Sequence, residues 1–363
     1  MPSMIEYKNL LLSTVIRGNA TSEDVKKSCT PIFSYINELK PKKLFRYRTC
    51  TEYNYDALLN DKIYFSPPKN FNDPHDCFSY VNNNEIQSML NESSLENLIK
   101  ELHQIRQSSH LIRESFSPNI LPAIEVIYRK VKKMRKLEFS SFIKELESRA
   151  ADYPKIKKDI ENLININHAQ NIRLSREETF IACMSKDVKS TLMWAHYADY
   201  HKGFVLEYDT DEIANLTGKC IECKDKCAMQ HTLGLYPVVY SKNRFNATEY
   251  EMETLKLRIN NYYYGFKDQF CIPDMLFYIK TNSFKGDNWK YEKEWRLVYS
   301  CSINHPTIKF DVLKPKAIYL GSQMSLSNKK IIKKLIEGKN LVVYEMYIDN
   351  SKEKYALSYR LCN

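Results

Sequence analysis

The chain has 363 residues, of which only 8 are glycine, about a third of the roughly 7% usual in proteins. No two of those glycines are close together, which excludes the clustered-glycine turns GxGxxG and GxxxxGK(S/T) and disfavours a Rossmann dehydrogenase, a protein kinase or a P-loop NTPase. Lys and Arg number 54 against 44 Asp and Glu, a net +10, which fits nucleic acid, acidic lipid or an anionic small molecule, and equally the Lys-, Asn-, Ile- and Tyr-rich composition of an AT-rich genome.

The N-terminal MPSMIEYKNLLLSTVIRG has a short apolar stretch broken by Glu6 and Lys8, without the basic start of a secretion signal. No run of about 18 apolar residues marks a membrane span, and 10 cysteines are too sparse for a disulfide scaffold, so a cytoplasmic chain with reduced thiols is expected. Residues 4–16 and 31–39 read as short helices. LFRYR (44–48) alternates as a strand, EYNYDALLN (52–60) as a helix and KIYFS (62–66) as a second strand. PPKNFNDPHD (67–76) is a loop stiffened by three prolines.

Residues 85–176 carry apolar side chains at three- and four-residue spacing and read as a helical insertion between the two parts of a core, 1–84 and 177–363. Within it, Arg129, Lys130, Lys132, Lys133, Arg135 and Lys136 make a basic run, either a solvated helix face or a contact for nucleic acid. From Glu178 strands return at 178–185, 203–209, 235–241, 295–300, 316–321, 341–348 and 355–361, with a helix starting near Ser190, two over 246–281 and one over 326–337. Strands that follow one another without a regular intervening helix predict an α+β fold whose sheet is mixed and largely antiparallel.

Three segments carry candidate chemistry. Cys220, Cys223, Cys227 and His231 have a spacing that could close a tetrahedral zinc site, or form a plain cluster of reduced thiols. Trp194, His196, Tyr197, His201 and Lys202 crowd a helix just before a strand, and helical spacing brings Trp194, Tyr197 and His201 near one face, as a ligand pocket or as core packing. In NWKYEKEWRLVYS, Glu292 and Glu294 fall on one side of an extended chain, either as a carboxylate pair whose mutual repulsion raises one pKa or as the solvent-facing edge of an antiparallel strand.

Together LFRYR, KIYFSPPKNFNDPHDCF, LMWAHYADYHKGFVLEYD and YEKEWRLV resemble a bacterial family known as domain of unknown function twenty-nine-seventy-one. Its pattern is an FRYR-like strand, FNDPxD, WxHYAxxHKG and YExEWR; the cysteine cluster is not part of it. More remotely, the order of elements is similar to an ADP-ribosyltransferase fold, in which an early strand carries an Arg for the NAD ribose and a late strand carries the catalytic Glu, often as E-x-E. The usual middle Ser-Thr-Ser element is not visible, although Ser190 and Thr191 lie near its place.

That resemblance implies NAD as substrate and a protein or nucleic-acid acceptor, in a toxin or antiphage effector. Glu294 would stabilise the oxocarbenium ion, Glu292 would position or deprotonate the acceptor, and Arg46 with Arg48 would hold ribose or pyrophosphate. Tyr47, Trp194, Tyr197 and Lys202 would line the NAD cleft, with His196 among the catalytic groups, while Asn72, Asp73 and Asp76 would either line it or only shape the FNDP loop. Arg46 and Glu294 are then expected to face one cleft, and a placement on opposite sides of the sheet would count against a shared site. The competing classes are a nuclease using His196, His201, Asp73 and Glu294, and a non-enzymatic sensor of a nucleotide.

Overall fold

The computed structural model describes residues 3–92, 95–108, 121–150, 153–217, 233–264, 272–300 and 313–362. Among them run the strands β1 (Lys43–Arg48), β2 (Thr179–Ser185), β3 (Phe204–Asp209), β4 (Leu233–Pro237), β5 (Val239–Ser241), β6 (Phe284–Gly286), β7 (Glu294–Ser300), β8 (Ala317–Leu320), β9 (Val342–Ile348) and β10 (Leu357–Leu361). Eight form one sheet in the order β10-β9-β8-β3-β1-β2-β7-β4, and β5 pairs with β6 in a small parallel sheet of their own. In the large sheet only β8 and β9 run parallel. The expected α+β class with a largely antiparallel sheet is what the chain adopts.

Both faces of the sheet are covered, which is why its strands read as near-continuous apolar runs. On one face Leu44, Ala182, Phe204, Leu206, Leu297 and Ile318 pack with apolar residues of helices α1 (Met4–Ser13), α2 (Ser22–Leu39) and α3 (Glu52–Leu59). On the other, Phe45, Tyr47, Val205 and Tyr319 pack with Met193 and Trp194. Between them, helices α4 (Asn83–Glu92), α5 (Leu95–Gln107), α6 (Leu121–Lys133), α7 (Lys136–Ala150) and α8 (Tyr153–Arg176) surround a separate apolar cluster that includes Ile86, Leu102, Phe139 and Leu146. Beyond β2 come α9 (Thr191–Tyr197), α10 (Thr210–Leu216), α11 (Thr248–Tyr264), α12 (Phe277–Ser283) and α13 (Leu326–Leu335). Leu255 of α11 belongs to the helical cluster and ties it to the core.

Four local expectations need correction. The helix placed at 31–39 starts at Ser22, because Thr21 and Asp24 form a capping box well upstream. KIYFS is not a sheet strand; only Ser66 bridges, to Ile181. The strand placed at 235–241 is two, β4 and β5, which break between Pro237 and Val239 and join different sheets. The helix begun at Ser190 stops at Tyr197, and Asp199, Tyr200 and His201 follow with φ of 46°, 49° and 68°, so His201 does not continue its face. That tight turn returns the chain at Gly203, where a Cβ would lie 2.1 Å from the Arg48 carbonyl oxygen.

Candidate active site

β1 and β2 share a single register pair, Phe45 with Ser185. Further along β2 its partner is Ser66, which exchanges backbone hydrogen bonds with Ile181. The sheet is thus parted beside Arg46, Tyr47 and Arg48, and a cavity of about 590 Å³ lies in the opening. Phe45, Ser185 and Glu294 align across β1, β2 and β7, so strand alternation sends Arg46 to the opposite face from Glu294. That opposite-face placement counts against the shared site expected from the sequence, although both residues are among those that border the cavity.

Glu292 and Glu294 come together by a different route from the one strand alternation suggests. Glu292 ends a 3-10 helix, Lys293 turns through the left-handed region at φ 48°, and β7 begins at Glu294. The register of β5 with β6 sets Lys285 beside Tyr240, and both reach Glu294. The Tyr240 hydroxyl accepts from the Glu294 backbone N–H at 2.7 Å, while Lys285 Nζ lies 2.5 Å from Glu292, 3.1 Å from Glu294 and 3.5 Å from Asp76. Arg296 grips Glu294 through Nε at 3.0 Å and Nη2 at 3.2 Å, and Asp76 through Nη2 at 2.6 Å. Asp76, Lys285, Glu292, Glu294 and Arg296 are all buried, none of them more than 8% exposed.

Three carboxylates share two cations, and this imbalance governs the titration. Burial acts first on Glu292, repulsion from Glu294 adds to it, and together they outweigh Lys285 and push Glu292 up to about 7. Burial would also raise Glu294, but Arg296 and Lys285 prevail and hold it well below the usual carboxylate range. Lys285, which burial alone would lower, is held charged by Glu294, Asp76 and Glu292. The site therefore sets a carboxylate held well below the usual range beside one raised to about 7.

Tyr197 donates to Glu292 Oε1 and accepts from Asn72 Nδ2 at 3.0 Å. Ser185, at the end of β2, donates to the Glu292 carbonyl at 2.6 Å. Across the cavity Tyr53 stacks on Tyr64 with ring centroids 4.3 Å apart, and both border it. Arg46 is 5% exposed; its Nη2 donates to the Tyr64 carbonyl, while Nε and Nη1 meet no hydrogen-bonding partner among the described residues. Burial lowers its pKa, and no carboxylate among the described residues is paired with it.

Of the residues expected to form the site, the structure brings Arg46, Tyr47, Arg48, Asn72, His196, Tyr197, Glu292 and Glu294 to this one cavity. Trp194 is elsewhere. It is fully buried, donates Nε1 to the Val188 carbonyl and meets the Tyr47 ring edge-on, so it packs the core and offers no face to a ligand. Lys202 is exposed and does not border the cavity. Asp73 accepts from the His75 backbone N–H and fixes the loop turn, and Asp76 is held beneath the site by Arg296. The four groups of a nuclease site are not assembled, since His201 stacks on Trp194 and Asp73 borders a different cavity. Ser190 caps α9 through the Met193 N–H.

Cys220, Cys223, Cys227 and His231 lie outside the described residues. Among the described residues no group of three or more His, Cys, Asp or Glu side chains could hold a metal ion, and no helix is long and apolar enough to cross a membrane. The basic run ends α6 and opens α7. Arg129 and Arg135 pair there with Glu125 and Glu138, Lys132 donates to the Arg106 and Ser108 carbonyls, and none of the run borders the cavity.

Sequence reasoning misses Lys285, Arg296, Ser185, Tyr53 and Tyr64. Arg296 stands inside the YExEWR motif, two residues past the second acid, and that motif is the signal that could have found it. Lys285, in NSFKGDN, has no motif around it, and only the β5–β6 pairing reveals it.

No curated protein and no solved structure matches the chain. Residues 193–297 match the family described as Protein of unknown function (DUF2971), the one that the four sequence motifs resemble. The matched stretch contains His196, Tyr197, Lys285, Glu292, Glu294 and Arg296, whereas the FRYR and FNDP segments precede it. The description of the family that residues 193–297 match names no activity.

Proposed function

We propose that the protein cleaves NAD at the bond between nicotinamide and ribose and transfers the ADP-ribose to a protein or nucleic-acid acceptor. The observation that carries this reading is the pairing of Glu294 with Glu292 at the cavity bordered by Arg46, Arg48 and several tyrosines. As the glycosidic bond breaks, its electron pair leaves with nicotinamide and positive charge builds on the ribose. Asp76, Glu292 and Glu294 outnumber Arg296 and Lys285, so the cluster around the ionised Glu294 keeps a net negative charge that favours this ion. The acceptor atom then bonds to the anomeric carbon, and its proton passes to Glu292. Tyr197 and Asn72 orient the Glu292 carboxylate for that transfer.

On the other wall, the Arg46 and Arg48 side chains offer donors to ribose or pyrophosphate, and the Tyr53–Tyr64 stack offers an aromatic surface for a base. The test is nicotinamide release from NAD by the purified protein, offered protein, DNA and RNA acceptors in turn. Release by the wild type that falls at least about a hundredfold in Glu294→Gln supports the reading. Equal inertness of the wild type and the variant with every acceptor would end it.

A further inference from the structure

A second cavity, of about 310 Å³, shares Lys285 with the first. Its wall carries Lys242, Arg244, His75, Phe78, Trp289 and Asn288. Lys242 and Arg244 are exposed and pair with no carboxylate among the described residues. Arg244 instead lies over the rings of Phe78 and Tyr80, at 5.2 and 5.8 Å, and Arg176 also lies over Phe78, at 5.6 Å. Trp289 lies 5.0 Å from Lys285 Nζ, so an aromatic ring packs over the ammonium that holds the carboxylates. Asp73, the carboxylate on this wall, is engaged by the His75 backbone N–H.

We propose that this second cavity, which shares Lys285 with the first, holds single-stranded nucleic acid as the acceptor. A cationic acceptor such as an arginine side chain would meet Lys242, Arg244 and Lys285 there and be repelled. A strand brings phosphates to Lys242 and Arg244 and an unstacked base to Trp289 or Phe78, the combination of charge and aromatic faces by which single strands are held. A duplex keeps its bases stacked inside and cannot use those rings. The role of acceptor rests on the NAD-cleaving reading, whereas the binding of a strand does not.

Fluorescence anisotropy with labelled oligothymidylate and oligouridylate, across a salt series, tests this on the intact protein. Saturable binding of either strand is expected, and which strand binds tells DNA from RNA. Lys242→Glu with Arg244→Glu should weaken it at least about tenfold and reduce the salt slope by roughly 0.7 for each phosphate that is no longer neutralised. Trp289→Ala should weaken it about fivefold or more with the slope unchanged, provided its circular dichroism matches the wild type. Absence of binding, unaltered binding in all of these variants, or equal competition by a duplex or by polyglutamate overturns the proposal. So does loss of binding in Lys133→Glu with Lys136→Glu alone, which would move the binding face to the helical run. NAD cleavage without strand binding would defeat this inference and spare the enzyme reading; strand binding without NAD cleavage would do the reverse.

Discussion

Lys285 and Glu292 form a buried ion pair at 2.5 Å in which the acid, and not the base, titrates near neutrality. The cause is the crowd around them: Glu294 and Asp76 also lie within 4 Å of the same ammonium, and Arg296 is committed to those two. Glu292 is the carboxylate left without a full counter-charge.

If Glu292 is the base, activity rises with pH through about 7 and levels above it, and Glu292→Gln removes that rise. Stability moves the other way. Because the folded value lies above the ordinary 4.5, the stability Glu292 contributes is full below about 4.5 and is lost as pH climbs through about 7. Glu294 has the opposite sign, contributing above its ordinary value and losing that only in acid. Urea unfolding should show the wild type weaker at about pH 8 than at about pH 5 by on the order of 1–3 kcal/mol, and Glu292→Gln should flatten the difference.

The elements that position this site are legible where one local pattern suffices. LFRYR, ETFIACMS and WRLVYS are strands because aromatic and β-branched residues recur in them between turn signals, and the capping Ser190 marks the start of α9. What is not legible depends on pairing over long distances. That β1 leaves β2 after one pair, and that residues 62–66 run beside β2 without joining as a strand, is a property of register and has no sequence period. Lys285 joins the site from nine residues upstream of Glu294 through the pairing of β6 with β5. Glu292 sits beside Glu294 for a reason other than the expected one, since a left-handed Lys293 does what strand alternation would have done. Trp194 shows a different failure: an aromatic beside a motif reads as a ligand platform, yet its indole N–H is already satisfied in the core.

Tyr197→Phe tests the orientation of Glu292. The phenol donates to the ionised carboxylate and so favours it, working against burial. Its removal should move the midpoint of the activity profile upward. A hydrogen bond of about 1 kcal/mol corresponds to roughly 0.7 of a pH unit. A profile that keeps its midpoint while the rate falls would assign Tyr197 to substrate binding and not to the carboxylate.

Arg296 anchors the assembly through both Glu294 and Asp76 and also donates to the Asn282 carbonyl at 2.8 Å, with no exposure of its own. Replacing it by Met leaves three buried carboxylates, Asp76, Glu292 and Glu294, with Lys285 as their one cation, and unfolding should become easier by about 3–5 kcal/mol. Adding Asp76→Asn should restore part of the loss, since the two residues act on one network. Strict additivity of the two changes in urea unfolding would show that they are independent.

Arg46 is a buried cation that the described residues do not neutralise, and its cost is the clearest sign of a role outside stability. A guanidinium with two idle nitrogens in a closed wall opposes folding, because its hydration is given up for one hydrogen bond to Tyr64. Arg46→Met keeps most of the volume and removes the charge. Its thermal midpoint is therefore expected to rise, by the few degrees that about 1 kcal/mol represents in a chain of this size, while stabilisation by added NAD is lost. A fall of several degrees would mean that Arg46 supports the fold, and unaltered stabilisation by NAD would remove it from the nucleotide site. The combination of a firmer protein with a weaker ligand response is the outcome that only a binding residue gives.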